Sequence, residues 1–553
     1  MPSILTISIY YWIIIFSIVG HGILFNKFFL KSTEVDIGHI GIYGIFILIF
    51  VSYISSFFLP HTVLFNSFLL SIGLINLFLN RNRNIVKNNI KKLIIIFSIL
   101  IIFIFVSKNH DDFPYYHFPY THLLTEYSNL IGLGNFNHGF RTHSSIFYFS
   151  SLFNLPFTNF YLLHLSPVFF MGFANIIFYN KILIHLNSQK NLYILYLSLL
   201  SLIFINIFFY RLAEHGTDRS AMILIIVTVV ELFYLINIKK IKENNLFLKL
   251  LILITLIISL KTFYILYTLL LIPVIFYFIV NKISLMFFFK KTVTYLCLIL
   301  FFVILVVNFF NSGCLLYPVQ ITCFENFSWS IPISEVDQMN NWYQQWAKAG
   351  ANPNFRIENP EIYIKDFNWI SNWIDKYFFN KVSDFLLGLV FLCAVVASTF
   401  FTKKNKKSQK PKFWLIYAII IFLLLEWFYL LPALRYGGYH LIALLLFIPF
   451  SIHLNRHSIN LQSLNKKIYF LLFLTITVFL TRNVSRLVNE HELYGYNLIN
   501  NAYYNDNGQN FKIFNKIQNL KKCNSKNNSI VCSDGNISLK FVNNAYIFYR
   551  NEK

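Results

Sequence analysis

The sequence predicts an all-α polytopic membrane protein of about 14 transmembrane helices, with extracytoplasmic loops and a small extracytoplasmic α+β module near its C-terminal end. Three observations carry that prediction. Of the 553 residues, 57% are hydrophobic and 12% charged, against about 25% charged in ordinary soluble domains. Apolar runs without charge, such as 93–106, 222–230, 250–260, 292–307 and 413–425, recur along nearly the whole chain, which is the hydropathy signature of many spans. Between them the basic residues fall in short clusters.

Those clusters are topological. A formal net charge of +23 would suggest a nucleic-acid partner in a soluble chain, but that partner needs a contiguous basic face. Here lysines and arginines gather at 27–31, 81–92, 181–190, 239–242, 282–291, 403–412 and 456–467. Two apolar runs divide each cluster from the next. Placing every cluster on the cytoplasmic side keeps parity throughout and puts both termini outside. No positive segment precedes the first apolar run and further spans follow it, so it reads as a span rather than a cleaved leader. The expected location is a bacterial inner membrane, with the chemistry facing the periplasm.

Three regions follow. Residues 1–92 are accessory transmembrane helices, and 93–480 a transmembrane core with outer loops at 108–156 and 311–383. Residues 481–553 have ordinary polarity and form the module. Within it, 496–518 reads as helical with a break at Asn507-Gly508, and 530–548 as strands around an Asp534-Gly535 turn. Cys314 and Cys323 share one outer loop, and Cys523 and Cys532 share the module; two local pairs on the outside fit disulfides in an oxidising compartment. The loop 311–383 holds Trp329, Trp342, Trp346, Trp369 and Trp373, which can stack on sugar rings or sit at headgroup level. Phe367, Ile370, Ile374, Tyr377 and Phe378 follow helical spacing, predicting a helix lying in the membrane interface.

The strongest local signal is His110-Asp111-Asp112-Phe113-Pro114-Tyr115-Tyr116-His117, where the fourth span emerges. Two adjacent carboxylates at a membrane exit face partial desolvation and mutual repulsion, which suits one of them to take a proton. The bland alternative is a cap on the following helix, with Asp112 at the N-cap and Pro114 in the first turn. Capping accounts for one aspartate, not two flanked by histidines. The same loop could hold a divalent cation on Asp111, Asp112 and His117, with His110 and His122 nearby, although no standard zinc spacing is matched.

An Asp-Asp motif at the outer end of an early span, followed by an interfacial loop, resembles the GT-C superfamily of membrane glycosyltransferases. The resemblance covers residues 93–480, including a large later outer loop, and a soluble outer C-terminal module follows. It implies a polyprenyl-phosphate-linked sugar donor, with Asp111 or Asp112 matching the acidic residue that acts as base on the acceptor hydroxyl or organises the site. In that family the motif follows the first span; here an added N-terminal bundle precedes it.

The remaining candidates are polar residues on the same side. Asn135, His138 and Arg141 lie in a Gly-rich stretch, 132–145, whose amides and guanidinium suit anionic oxygens. Arg211, His215, Asp218 and Arg219 crowd one outer turn, and Lys261, Arg435 and Tyr439 stand in two others. Fixed positive charge there would meet a departing lipid phosphate, whereas the bland reading makes each cation a snorkelling anchor. Glu231 and Glu426, inside spans, read as buried partners of basic residues. No P-loop, dinucleotide fingerprint or Gly-x-Ser-x-Gly elbow occurs. The expected function is inverting sugar transfer to a glycan, lipid or protein acceptor. The alternatives are an O-antigen polymerase or ligase, and a lipid-glycan flippase; against the last, the charges gather at span ends and no repeat is visible.

Overall fold

A computed structural model describes residues 3–551 except 33, 34, 82–86, 88, 107–111, 159, 160, 214–216, 238–244, 283, 285, 353, 403–411, 458, 459, 496–511, 527–531, 535 and 544. Among the described residues, eight helices are long and apolar enough to cross a membrane: Ile4–Leu30, Ile37–Ser56, Leu163–Ser188, Thr217–Asn237, Thr262–Val280, Thr292–Ser312, Ile370–Phe400 and Leu461–Leu493. Five shorter apolar helices, Val63–Leu79, Leu192–Phe208, Phe247–Leu260, Trp414–Leu430 and Gly438–Leu454, pack among them. Helices dominate because backbone groups in an apolar medium must be satisfied within their own segment.

The N-terminal helices are tied together as tightly as the core. A Cβ on Gly20 would lie 1.8 Å from the Gly73 carbonyl oxygen, so Ile4–Phe25 and Val63–Leu79 cross backbone to backbone. Asn76 Nδ2 donates to the Gly20 carbonyl and Ser17 Oγ to that of Leu70 across the same crossing. Asp36 starts Ile37–Ser56 by accepting from the Gly38 and His39 amides at 2.9 and 3.2 Å.

One expectation changes here. The aromatic stretch forms the first turns of the helical run Ile370–Phe400. Trp369, Trp373 and Tyr377 are buried; Trp373 Nε1 donates to the Pro432 carbonyl at 3.0 Å, and Trp369 packs on Phe428 at 5.3 Å. The span placed at 468–480 is part of an unbroken helix, Leu461–Tyr494, so the boundary drawn at 480 falls inside it.

One four-stranded sheet joins the two polar regions. Its order is β1 (Leu130–Ile131), β4 (Ala545–Arg550), β3 (Ile537–Val542) and β2 (Cys532–Asp534). β2 and β3 form a hairpin with Asp534 opposite Ile537; Gly535 of the expected Asp534-Gly535 turn lies outside the described residues. The helix Lys512–Lys526 packs on β2 and β3, and a disulfide joins Cys523 to Cys532. β4 then runs parallel to β1, pairing Leu130 with Tyr546 and Ile131 with Ile547. The helical stretch read over 496–511 lies outside the described residues.

Candidate functional site

Four separated segments bring charge to one point. Asp112 stands at the start of the turn Phe113–His117. Its side chain makes no cap bond to the turn; its Oδ2 accepts from Tyr116 Oη at 3.2 Å and lies 3.9 Å from Arg435 Nη2. Asp218 begins Thr217–Asn237. Its Oδ2 accepts from Arg435 Nε at 3.2 Å, and its Oδ1 from Lys261 Nζ. Lys261 sits in extended backbone between the helix Asn245–Leu260 and the 3-10 turns Thr262–Leu271. Its hairpin is pinned to loop 108–156 by Ser144 Oγ, which donates to the Leu260 carbonyl at 2.6 Å.

Arg435 is the common partner of both carboxylates, and its turn, Leu434–Tyr436, is held by aromatic side chains. Trp427 Nε1 donates to the Ala433 carbonyl at 2.9 Å, and the Leu434 amide donates to Tyr377 Oη at 2.8 Å. Rings then wall the centre. Lys261 lies over Tyr436 at 4.6 Å, and Arg435 is 5.6 Å from the rings of both Trp346 and Tyr436. Trp346 and Trp342 are one turn apart on Ile333–Lys348, and Trp342 continues outward to His138 at 6.2 Å and Phe355 at 6.1 Å.

Burial sets the electrostatics. It works against the Arg435 charge, but Asp218, then Tyr436, Tyr116 and Asp112, outweigh it and hold the guanidinium firmly protonated. Burial draws the Lys261 ammonium below its ordinary value, with Asp218 opposing. Burial pushes the Tyr436 phenol up to about 12, so it stays neutral. Burial also lowers His138, with Arg141 adding to the effect and Asp112 opposing it. The centre is nevertheless partly open, with 36% of the Asp112 side chain and 37% of Arg435 accessible. Two acids and two bases in such a place can bind an anion, activate a hydroxyl, or both.

Other residues singled out from the sequence have different places. Asp111, His110 and His215 lie outside the described residues. Arg141 is a buried cross-link: Nε donates to the Gly134 carbonyl at 2.9 Å, Nη1 to Tyr317 Oη at 3.0 Å and Nη2 to Glu335 at 2.6 Å. Asn135 Nδ2 spans the carbonyls of Gly132, Trp329 and Phe548. Gly132 has φ +80°, and a Cβ there would meet the Phe548 carbonyl oxygen at 1.9 Å, so the Gly-rich stretch serves close approach to β4. His117 is buried against Tyr116 and Phe147. Arg219 Nη1 donates to the Phe208 carbonyl at 3.0 Å and the guanidinium faces Phe209 and Tyr439, while Tyr439 packs on Phe385. Arg211 is half-buried in the turn that precedes Thr217–Asn237. A disulfide joins Cys314 to Cys323. Among the described residues, no group of three or more His, Cys, Asp or Glu side chains is placed to hold a metal ion.

Sequence reasoning missed Tyr116, Tyr436 and Glu335. Glu335 receives Arg141 from one side and Arg550 Nη1, at 2.6 Å, from the other. Nothing local in the sequence marks it, because both partners are remote. Tyr436 stands beside Arg435 and was findable as its aromatic neighbour.

A second ionic cluster occupies the other end of Thr217–Asn237. Glu231 accepts from Lys181 Nζ at 3.0 Å and lies 3.4 Å from His39 Nε2, while His39 Nδ1 is 2.5 Å from Asp36. Lys181 also lies over the Tyr234 ring at 3.4 Å. Glu231 is thus a buried partner of basic residues, and Lys181 is a core residue rather than an exposed anchor.

Residues 1–442 match a family described as a domain of unknown function, DUF8201. No curated protein and no solved structure matches the chain.

Proposed function

The chain belongs to the DUF8201 family, and we propose that this member is a membrane glycosyltransferase. It takes a sugar from a polyprenyl-phosphate donor and passes it with inversion to a glycan, lipid or protein acceptor. In this reading the shorter apolar helices and the segment 90–105 also cross the bilayer, giving about 14 spans, and the charged centre faces the periplasm of a bacterial inner membrane. The observation that carries the reading is the convergence of Asp112, Asp218, Lys261 and Arg435 into one partly open, aromatic-walled centre.

The chemistry assigns each group a task. Asp112 takes the proton of the acceptor hydroxyl as its oxygen attacks the anomeric carbon. The bond from that carbon to the phosphate oxygen breaks on the opposite face, and the lipid phosphate leaves with the electron pair. Lys261 and Arg435 meet the charge that builds on it. Asp218 fixes both cations beforehand, which lowers the reorganisation needed during the reaction. Trp346 and Trp342 offer stacking faces for sugar rings leading away from the centre.

Turnover by the purified protein in nanodiscs, with a panel of polyprenyl-phosphate sugars, tests this. Wild type is expected to transfer sugar and Asp112→Asn to lose transfer. Undiminished transfer by Asp112→Asn would remove the proposed base, and lipid translocation without sugar transfer would turn the reading to a flippase.

A further inference from the structure

The loop that follows Thr292–Ser312 is closed by the Cys314–Cys323 disulfide. That helix leaves one stripe uncovered, formed by Tyr295, Leu298, Ile299, Phe302 and Val306. The spacing is that of a single helical face, and a span turns such a face to lipid. The stripe continues past the end of the helix. Phe309 packs edge-on against Phe324 at 5.9 Å and Phe327 at 5.1 Å, and both of those rings are themselves exposed. At the tip of the disulfide loop Val319 is exposed and Ile321 is 92% exposed.

No charged residue lies between 313 and 324. The loop is also well formed: the Leu315 amide donates to the Thr322 carbonyl at 3.0 Å, and Thr322 Oγ1 donates to that of Leu316 at 3.1 Å. An ordered, uncharged loop that holds an isoleucine outward, in line with a lipid-facing stripe, is out of place in water. We propose that the loop 313–324 is a membrane-surface anchor, with Val319 and Ile321 seated in the headgroup and upper acyl region of the leaflet that covers the same end of Thr292–Ser312.

The anchor has a mechanical connection to the charged centre. The Ile331 amide donates to the Ser312 carbonyl at 3.0 Å, and the Trp329 carbonyl accepts from Asn135 in loop 108–156. Seating the disulfide loop in the leaflet therefore fixes the height of loop 108–156 above the lipid. This inference does not depend on the proposed sugar transfer.

The test places a nitroxide at Ile321→Cys, with Cys297 and Cys393 replaced by serine and both disulfides intact. The protein is held in nanodiscs of phosphatidylethanolamine and phosphatidylglycerol. Collision with oxygen, which concentrates in lipid, is compared with collision with a water-soluble nickel chelate. Phe302→Cys serves as the lipid-facing reference and Asn354→Cys as the solvent-facing one. The oxygen-to-nickel ratio at 321 is expected to rise several-fold above that at 354 and to stay below that at 302; Val319→Cys should behave alike. A ratio at 321 equal to that at 354 would overturn the anchor. So would shielding from both reagents, which would mean that protein covers the tip.

Discussion

Thr217–Asn237 carries a paired carboxylate near each end, Asp218 and Glu231, about 20 Å apart along the axis at 1.5 Å per residue. Each is held by a lysine and a second basic side chain, yet the surroundings differ. Glu231 is 0% exposed and His39 2%, with Lys181 at 8% and Asp36, at the edge of that cluster, at 23%. At the other end Arg435 and Asp112 keep more than a third of their side chains accessible. A carboxylate enclosed as Glu231 is holds helices together, because no molecule reaches it. One left open at a ring of aromatic side chains keeps its charge available to a ligand.

The contrast is sharpest where activity and stability separate. Asp112→Asn is expected to lower the proposed transfer by about 10²–10⁴-fold, the usual worth of a positioned general base, with the melting temperature in nanodiscs unchanged. Loss of melting temperature alongside activity would make Asp112 structural and erase the distinction.

Glu231→Ala should do the reverse. It strands Lys181 in an apolar surround at a cost of about 3–5 kcal/mol, read as a large fall in melting temperature, while turnover per folded molecule is kept. Adding Lys181→Met should restore most of the loss. A Glu231→Ala protein that melts normally but fails to turn over would show the buried cluster to be functional.

A smaller effect is expected from Arg435→Lys. An ammonium keeps the charge but cannot reach both carboxylates as a planar fork does. The loss of one charge-assisted hydrogen bond, about 1.5–3 kcal/mol, should appear as a kcat/KM lowered roughly tenfold or more, carried by kcat.

The smallest effect concerns the module. Arg550 and Arg141 hold the Glu335 carboxyl below the usual glutamate range, against the opposing effect of its partial burial. A depressed carboxylate stabilises above its unfolded value, about 4.3, and the contribution is lost as pH falls through the folded value. Protection from amide exchange in β4 and β1, taken relative to the intrinsic rate at each pH, should therefore be flat from neutral pH down to that range and fall below it. Arg550→Ala should move the onset upward; an onset unmoved by Arg550→Ala would detach the effect from this pair.

Much of the contrast between the two ends was legible in the sequence. Asp218, Lys261 and Arg435 stood out as charges in short turns between apolar runs, and Asp112 as a carboxylate at a span exit. Glu231 was read as a buried partner because a lone charge within an apolar run needs one. The partners themselves were harder. His39 and Asp36 come from another hairpin, and Glu335 draws arginines from loop 108–156 and β4, so no periodicity could pair them. The partners of Trp369 and Trp373, Phe428 and the Pro432 carbonyl, were not legible because helical spacing records which residues share a face, not what that face meets. β1 is two residues long and exists only because β4 lies beside it.

That last pairing has a consequence for the order of manufacture. Leu130 and Ile131 leave the ribosome long before Tyr546 and Ile547, and every described apolar helix from Leu163–Ser188 to Leu461–Leu493 is synthesised in the interval. The loop that bears Asp112 must therefore cross or reach the membrane surface with its sheet edge unpaired, and it waits there until β4 arrives to cover it. A chain halted before residue 545 would insert its helices and still expose that edge, giving quality control a way to tell an unfinished molecule from a finished one.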